Sequence, residues 1–348
     1  MTEAGTASAD PHHIDAGRLN DWMKAHVEGF AGPMTIEKFA GGQSNPTYKL
    51  TTPDARYVLR RKPPGPLLKG AHAVDREARV QTALRQAGFP VARIHGLCTD
   101  DSVIGTWFYV MDMVDGRVFW ESGFPGVDRA ERPAYFDAMN ATLAALHSVD
   151  YQAIGLGDYG RPGNYFERQI ARWTRQYRED EAGGRLDDMD MLADWLPAHI
   201  PPGEETSIVH GDFRCDNMIF HPGEPRVVAV LDWELSTLGH PLADFTYNLM
   251  MYRSPPELPG GLLGLDFEAM NIPDEGSYVA AYCRRTGRAG IDDLDFYIAY
   301  NLFRFGAIVH GIKGRMARGN ASSADAARLV AQLPLIARLA RESAERAG

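Results

Sequence analysis

The sequence predicts an α+β fold in two parts, a strand-rich N-terminal lobe and a larger, mainly helical C-terminal lobe. The chain has 348 residues, which is more than one simple hydrophobic core usually holds. Alternating apolar and polar residues are frequent in the first third of the chain, whereas apolar residues recur at helical spacing from about residue 128 onward. We therefore expect one domain over residues 1–113 and a second over residues 114–348.

Composition and charge exclude several classes of protein. The net charge is −10 and the pI is about 5.6, which argues against general nucleic-acid binding. No apolar run reaches the roughly 18 residues of a membrane span, and the N-terminus has no apolar stretch typical of a signal peptide. The three cysteines are widely spaced and suggest neither a disulfide framework nor a zinc site. We expect a cytoplasmic protein without nucleic-acid or membrane partners, and the sequence leaves its oligomeric state open.

The N-terminal lobe is predicted to begin with a polar tail, in which His12 and His13 are solvated, and a helix over residues 14–27. Five segments have the alternation of strands and complete an antiparallel sheet: residues 34–39, 47–50, 56–60, 94–97 and 107–111. A helix over residues 72–86 separates the third strand from the fourth.

The C-terminal lobe is predicted to be helical around one short hairpin. Helices are expected over residues 132–149, 164–179, 187–199, 244–251, 274–286, 294–313 and 324–345. The Gly- and Pro-rich segment 255–273 is expected to form a mobile flap.

The chemistry is concentrated in residues 210–220, His-Gly-Asp-Phe-Arg-Cys-Asp-Asn-Met-Ile-Phe, and in Val-Leu-Asp-Trp-Glu at 230–234. Short strands are predicted on both sides of a turn, so that a hairpin brings Asp212, Asn217 and Asp232 together. Oxygen ligands of this kind suit Mg²⁺ shared with substrate phosphates. A single such residue could simply cap a turn, but three at this spacing favour a site.

The spacing resembles the kinase catalytic loop H-R-D-x-x-x-x-N followed by D-F-G. With Gly after His, and with Asp-Trp-Glu in place of Asp-Phe-Gly, the chain resembles the aminoglycoside phosphotransferase and choline kinase-like family. It is closer still to the kinase domains fused to acyl-CoA dehydrogenases. The resemblance covers residues from about 34 to 320 and implies a protein-kinase-like two-lobe fold. It also implies ATP- and Mg²⁺-dependent phosphorylation of a small-molecule hydroxyl.

The resemblance assigns roles to the catalytic residues. Asp212 would be the base, and Arg214 would neutralise charge on the transferred phosphoryl group. Asn217 and Asp232 would hold Mg²⁺, while a part for Glu234 in the metal shell is left open. His210 and Asp244 would brace the loop. No long activation loop or Ala-Pro-Glu follows residue 234, so a protein substrate is not expected.

The predicted nucleotide site lies in the N-terminal lobe. A glycine turn between strands is expected to cover the phosphates, although a Gly-Gly hairpin alone is also common in plain turns. This turn comprises Gly41, Gly42, Gln43, Ser44 and Asn45. Backbone groups near Met111, Asp112 and Met113 would meet the adenine edge, and the choice between ATP and GTP is left open.

Val58 and Arg60 share one face of the third strand by alternation. Val58 would cover the adenine, and Arg60 would stand where kinases have a lysine. Glu77 resembles the glutamate that pairs with that cation, with Asp75 as the fallback. The alternative is that Arg60 belongs to a solvated strand end with its basic neighbours Arg61 and Lys62.

The acceptor is not specified by any motif. Seven bases and three acids lie between Arg284 and Arg318, and Arg168, Arg172 and Arg175 form a stripe on one predicted helix. Such positive charge favours an anionic or neutral alcohol, and the resemblance suggests a hydroxyacyl-CoA. The alternatives are an aminoglycoside O-phosphotransferase, a catalytically inactive nucleotide-binding protein, and a metal-dependent hydrolase, which would need more ligands than His210.

Overall fold

The computed structural model describes residues 13–39, 45–65, 72–319 and 324–348. The chain divides into two compact units. The first comprises Met1–Asp115 with Asp232–Glu234, and the second comprises Gly116–Leu231 with Leu235–Gly348.

The first unit contains a five-stranded antiparallel sheet in the order β1-β2-β3-β5-β4. Its elements in chain order are α1 Ala16–His26, β1 Thr35–Lys38, β2 Thr47–Thr51, β3 Arg56–Arg61, α2 Val74–Gln86, β4 Ile94–Cys98, α3 Asp101–Ile104 and β5 Phe108–Asp112. The predicted sheet is thereby confirmed strand by strand.

The two faces of this sheet pack against different helices because side chains alternate along each strand. Leu59 of β3 and Val110 of β5 share a core cluster with Trp22 of α1. Val58 and Met111, each one residue away and paired with each other in register, belong to a second cluster with Ala78 of α2. The second face carries the residues that matter for the site.

The second unit is mainly helical, with two small antiparallel sheets. Its elements are α4 Arg132–His147, α5 Tyr165–Glu179, α6 Asp187–Ala198, β6 Ser207–Val209, β7 Met218–Phe220, β8 Val227–Val230, β9 Thr237–Gly239, α7 Pro241–Arg253, α8 Phe267–Met270, α9 Glu275–Thr286, α10 Leu294–Ala317, α11 Ala324–Ala331 and α12 Leu333–Ala347. The strand β6 pairs with β9, and β7 pairs with β8. Helix α10 is buried along most of its length and packs against α5, α7 and α12.

One prediction of secondary structure was wrong in detail, and the structure adds short elements that were not predicted. The single helix expected over residues 324–345 is two helices, since Pro334 enters the first turn of α12 and cannot continue a preceding helix. The segment 255–273 contains α8, whose N-cap Asp266 accepts a hydrogen bond from the Ala269 N–H at 2.9 Å. The short elements α3 and β9 were not predicted. Among the described residues, no helix is long and apolar enough to cross a membrane.

Candidate active site

Arg60 is the centre of the charged cluster in the first unit. Its guanidinium Nε lies 2.8 Å from Glu77 Oε2, and its Nη2 lies 2.7 Å from Asp232 Oδ1 and 3.7 Å from Glu234 Oε2. The fallback partner Asp75 instead lies 3.9 Å from Lys62 Nζ. Burial by itself lowers the pKa of Arg60, but the carboxylate of Glu77 and then those of Asp232 and Glu234 raise it. The net direction is upward, so Arg60 remains a cation.

Glu77 is held by a buried network. Its Oε1 accepts from Asn45 Nδ2 at 2.8 Å, and its Oε2 accepts from the Tyr109 hydroxyl at 3.0 Å. Burial raises the pKa of Glu77, and the Arg60 guanidinium opposes that effect. Asn45 was predicted as a donor to phosphate. It is fully buried, and its Oδ1 lies 2.9 Å from His72 Nδ1, so its side chain is committed to this network.

The cluster contains more negative than positive charge. Arg60 is one cation among the three carboxylates of Glu77, Asp232 and Glu234, and those of Asp232 and Glu234 are partly exposed. Asp232 also has φ +61°, a conformation that non-glycine residues keep mainly where surrounding structure imposes it, often at functional sites. A divalent cation would neutralise this excess.

Magnesium fits these donors, because it is usually held by one or two carboxylates together with phosphate oxygens and water. Over the described ranges, no three His, Cys, Asp or Glu side chains form a metal-binding group. Mg²⁺ at these carboxylates would therefore be completed by the oxygens of a bound phosphate and of water.

The face of the sheet above this cluster is apolar. Val58 and Met111 are both buried and are partners across β3 and β5. Two of the backbone groups near the predicted adenine edge are engaged, since Asp112 N–H donates to Arg93 O at 2.9 Å and Met113 N–H donates to Arg56 O at 3.4 Å. Four members of the predicted phosphate turn lie outside the described residues, namely Gly41, Gly42, Gln43 and Ser44.

Asp212 lies in the second unit, on the loop between β6 and a 3₁₀ turn at Cys215–Asn217. Asn217 Nδ2 donates to Asp212 O at 2.8 Å and to Asp212 Oδ2 at 3.0 Å. These two bonds fix the orientation of the Asn217 amide, because its nitrogen must face Asp212. The amide oxygen is then left as the group that could bind a cation.

The other carboxylate oxygen of Asp212 also has a donor. The hydroxyl of Tyr247 on α7 donates to Asp212 Oδ1 at 2.5 Å. Arg214 Nε is 3.4 Å from the same oxygen, and Arg214 Nη2 is 2.7 Å from Asp216 Oδ2. The carboxylate is therefore oriented from two sides, by the loop and by helix α7.

Asp244 braces the backbone of this loop from the N-terminal turn of α7. It accepts hydrogen bonds from His210 N–H at 2.6 Å, Gly211 N–H at 2.8 Å and His147 Nε2 at 3.3 Å. Burial by itself raises the pKa of Asp244, but the hydrogen bonds from His147 and from the His210 N–H outweigh it, and the pKa of Asp244 is lowered. Gly211 has φ +86°, and a Cβ there would lie 3.0 Å from Leu235 O, so glycine suits this position.

His210 uses both ring nitrogens within the loop. Its Nδ1 accepts from Asp212 N–H at 3.2 Å, which leaves the proton on Nε2, and Nε2 lies 2.7 Å from Leu231 O. Neither nitrogen is free for a metal. The metal-dependent hydrolase considered from the sequence therefore loses its one histidine ligand.

A cavity of about 270 Å³ lies beside this loop within the second unit. Its polar wall includes Arg214, Asp216 and Tyr247. Its apolar wall is formed by Trp120, Met250, Met251, Leu258, Pro259 and Phe305. Tyr247 thus lines the cavity, and its hydroxyl contacts Asp212.

Sequence reasoning missed Tyr247, Arg304 and His147. Arg304 on α10 donates from Nη2 to Gly211 O at 2.7 Å, and His147 on α4 reaches Asp244. Only Tyr247 had a signal in the sequence. It follows Asp244 by three residues, and residues three apart share one face of a helix.

Residues 35–297 match the phosphotransferase enzyme family (APH), and the chain belongs to that family. It is 45% identical over 297 residues to acyl-CoA dehydrogenase family member 10 of Mus musculus, covering 85% of this chain and 28% of that protein. It is 41% identical over 330 residues to family member 11 of Homo sapiens, covering 93% of this chain and 42% of that protein. The chain thus spans less than half of these relatives.

A solved structure covers nearly the whole chain. It comes from Ralstonia eutropha JMP134 and is described as a candidate aminoglycoside phosphotransferase. It is 51% identical, covers 96% of this chain and 99% of its own, and gives a TM-score of 0.89. The resemblance and the protein-kinase-like α+β fold predicted from the sequence are confirmed. The chain is a phosphotransferase of the kind that uses a hydroxyl acceptor.

Proposed function

We propose that this protein transfers the γ-phosphoryl group of ATP, with Mg²⁺, to a hydroxyl of a small molecule, and that Asp212 is the base. The observation that carries the proposal is the orientation of Asp212. Its carboxylate is held by Asn217 on one oxygen and by Tyr247 on the other, and Tyr247 lines a cavity of about 270 Å³. A base that is held by a residue of the cavity lining suits an acceptor that binds in that cavity.

In the proposed reaction the acceptor oxygen attacks the γ-phosphorus of ATP. Its proton passes to the Asp212 carboxylate as the bond from the γ-phosphorus to the ADP oxygen breaks. Arg214 would offset negative charge on the transferred group, where fixed cations are most effective. Asn217 and Asp232 would hold Mg²⁺, which neutralises phosphate charge when bound.

Three features of the first unit support the nucleotide part of the proposal. Arg60, whose side chain is 12% exposed, is a cation that can pair with phosphate oxygens, and the carboxylates of Asp232 and Glu234 leave negative charge for Mg²⁺ to neutralise. Val58 and Met111 form an apolar pair suited to a purine ring. A member of the fold family, a mutant of aminoglycoside phosphotransferase APH(4)-Ia, was solved with ADP and hygromycin B. Because the N–H groups of Asp112 and Met113 are engaged, other backbone groups of segment 111–116 would meet the adenine edge.

The acceptor is proposed to be a neutral or anionic alcohol, with hydroxyacyl-CoA as the first candidate. The excess of bases over acids between Arg284 and Arg318 does not support an anionic acceptor once the structure is known. Three of these bases are paired with acids elsewhere in the second unit: Arg285 with Asp137, Arg288 with Glu205 and Arg318 with Asp180. The cavity gives a better argument.

The lining of the cavity disfavours a polycation. The acid in its lining is Asp216, whose carboxylate is already 2.7 Å from Arg214 Nη2. Six apolar side chains form the apolar wall described above. A polycationic aminoglycoside would lose hydration without finding carboxylates to replace it. Trp120, at 76% exposure, offers an apolar surface to the remainder of an acyl group.

The test is a comparison of wild type and Asp212→Asn. ADP release is measured with MgATP and a panel of hydroxyacyl-CoAs, choline and kanamycin, and MgATP affinity is measured by calorimetry. We expect a fall in turnover of about 10²- to 10⁴-fold with MgATP affinity retained, since the base contacts the acceptor. Near-normal turnover in Asp212→Asn would contradict the assignment.

The same measurements separate the alternatives. Nucleotide binding by wild type without turnover of any acceptor would favour an inactive nucleotide-binding protein. Efficient phosphorylation of kanamycin, with hydroxyacyl-CoAs ignored, would favour an aminoglycoside O-phosphotransferase and leave the role of Asp212 intact.

A further inference from the structure

Tyr247 makes the shortest contact to the Asp212 carboxylate. Its hydroxyl lies 2.5 Å from Asp212 Oδ1, while Asn217 Nδ2 lies 3.0 Å from Oδ2. A carboxylate attached through one rotatable bond is fixed in rotation only when both oxygens are held. Asn217 holds one, and Tyr247 is the closer of the two donors on the other, since Arg214 Nε is 3.4 Å away.

Tyr247 is itself held in place by a buried cation. The Arg304 guanidinium lies 5.0 Å from the centre of the Tyr247 ring, and its Nη2 donates to Gly211 O at 2.7 Å. Arg304 is 9% exposed and forms no ion pair with any carboxylate in the described part of the chain. Its charge is therefore directed at the ring and at the loop residue that precedes Asp212.

The phenol remains a donor over the working pH range. Burial, followed by the nearby Asp212 carboxylate, raises the pKa of Tyr247 above its ordinary value. A neutral phenol next to an ionised carboxylate donates a charge-assisted hydrogen bond, which is stronger than a bond between neutral groups.

We propose that Tyr247 is a positioning residue for phosphoryl transfer. It fixes the Asp212 carboxylate and takes one of the two acceptor directions of Oδ1, so that the other is left for the acceptor hydroxyl. This inference rests on the proposed role of Asp212 as base. Tyr247 lines the cavity and its hydroxyl contacts Asp212, so an acceptor bound in the cavity would lie beside the residue that orients the base.

The test uses Tyr247→Phe, with Tyr252→Phe as the matched control. Tyr247→Phe keeps the ring and its contact with Arg304 but loses the donor. Tyr252 lies on the same helix, and its hydroxyl donates to Pro273 O at 3.0 Å, away from Asp212. Turnover is measured with MgATP and the panel acceptor that gives the fastest ADP release, and also with MgATP alone.

A hydrogen bond to a charged group contributes about 1.5–3 kcal/mol, which corresponds to roughly 10- to 100-fold in rate. We expect kcat of Tyr247→Phe to fall by about that factor, with KM for the acceptor changed less than about threefold. Tyr252→Phe should stay within about twofold of wild type. In an Asp212→Asn background, Tyr247→Phe should cost no more than about twofold further, because the phenol acts through Asp212.

The outcomes distinguish the inference from the function on which it rests. If Asp212→Asn lowers turnover but Tyr247→Phe behaves like Tyr252→Phe, the inference on Tyr247 is overturned alone. If Asp212→Asn is as active as wild type, the proposed function fails. A crystal structure of Tyr247→Phe decides independently of activity. Rotation or disorder of the Asp212 carboxylate supports the inference, and an unchanged carboxylate overturns it.

Discussion

The brace formed by Asp244 allows a sharp prediction for Asp244→Asn. The carboxylate accepts three hydrogen bonds, two from the backbone N–H groups of His210 and Gly211 and one from His147 Nε2. An asparagine keeps one acceptor oxygen but turns an NH₂ group toward at least one of these donors. The variant therefore loses a charge-assisted bond and leaves a buried donor without a partner.

Each of these two effects costs about 1–3 kcal/mol, and the easier burial of a neutral amide offsets part of the sum. We expect the free energy of unfolding to fall by about 2–4 kcal/mol. We also expect turnover of the folded protein to fall by about 10- to 100-fold, because His210 and Gly211 lead directly into Asp212.

The measurement is urea unfolding at pH 7, with turnover measured at a temperature where the variant is fully folded. Asp274→Asn is the control, since Asp274 is an exposed N-cap that accepts from Ser277 N–H at 2.7 Å, and asparagine caps helices equally well. A loss for Asp244→Asn no larger than that of the control would refute the reasoning.

The pH dependence provides a second check. The pKa of Asp244 is lowered in the folded state, so its contribution to stability is present above the ordinary value of 3.8 and is lost as the pH falls through the folded-state pKa. The difference between wild type and Asp244→Asn should therefore shrink in acid. A difference that stays constant below pH 4 would show that the charge of Asp244 is not involved.

Three further predictions concern the remaining charged groups. Arg60→Ala should raise KM for ATP more than KM for the acceptor, and Arg60→Lys should restore part of the activity. If Arg60→Ala leaves activity unaffected, the cation that pairs with the ATP phosphates would be Arg61, Lys62 or Lys69. Asp232→Asn, which tolerates the left-handed backbone at φ +61°, should abolish Mg²⁺-dependent ATP binding in calorimetry, and unchanged affinity would exclude the metal role. Burial lowers the pKa of His240 from 6.5 to about 4, so wild type should lose up to about 3 kcal/mol of stability between pH 6.5 and 4. His240→Asn keeps an acceptor for the Leu242 N–H at the start of α7, so its stability should not fall in this way between pH 6.5 and 4. If the free energy of unfolding changed with pH equally in the two proteins, the prediction would be wrong.

The sequence was a good guide wherever local pattern determines structure. Alternation located the five strands of the first unit, and spacing alone selected Asp212 and Asn217, which the structure joins by a 3.0 Å hydrogen bond. It also selected Arg60 and Glu77, which lie 2.8 Å apart. Asp212 and Asn217 belong to a short motif and Arg60 follows from strand alternation, so they can be found without knowing the packing, whereas Glu77 was predicted from the resemblance to kinases.

Contacts made by packed helices could not be found in this way. Tyr247 is one of 14 tyrosines, and although it lies three residues after Asp244 on the same helix face, only the packing of α7 on the loop shows that it reaches Asp212. Arg304 lies 93 residues from Gly211, and nothing in the sequence of α10 distinguishes it from the other arginines nearby. Asn45 was misjudged for a similar reason, since its place beside Glu77 depends on how α2 packs against the sheet.

The replacement of the usual lysine by Arg60 has a physical consequence for the order of events in the first unit. A lysine presents a single ammonium, whereas the Arg60 fork reaches Glu77 with Nε and Asp232 with Nη2 at the same time. Mg²⁺ and Arg60 would therefore compete for the Asp232 carboxylate. That competition would end when phosphate oxygens accept from Arg60 Nη2 in place of Asp232, so that the Asp232 carboxylate is left to the cation. Binding of metal and of nucleotide should thus be coupled through one guanidinium, and Arg60→Lys, which cannot span both carboxylates, should weaken the coupling while preserving the charge. Titrations of Mg²⁺ with and without ATP measure this coupling as a change in Mg²⁺ affinity. If Arg60→Lys leaves the effect of ATP on Mg²⁺ affinity unchanged, the fork has no part in it and only the charge of residue 60 matters.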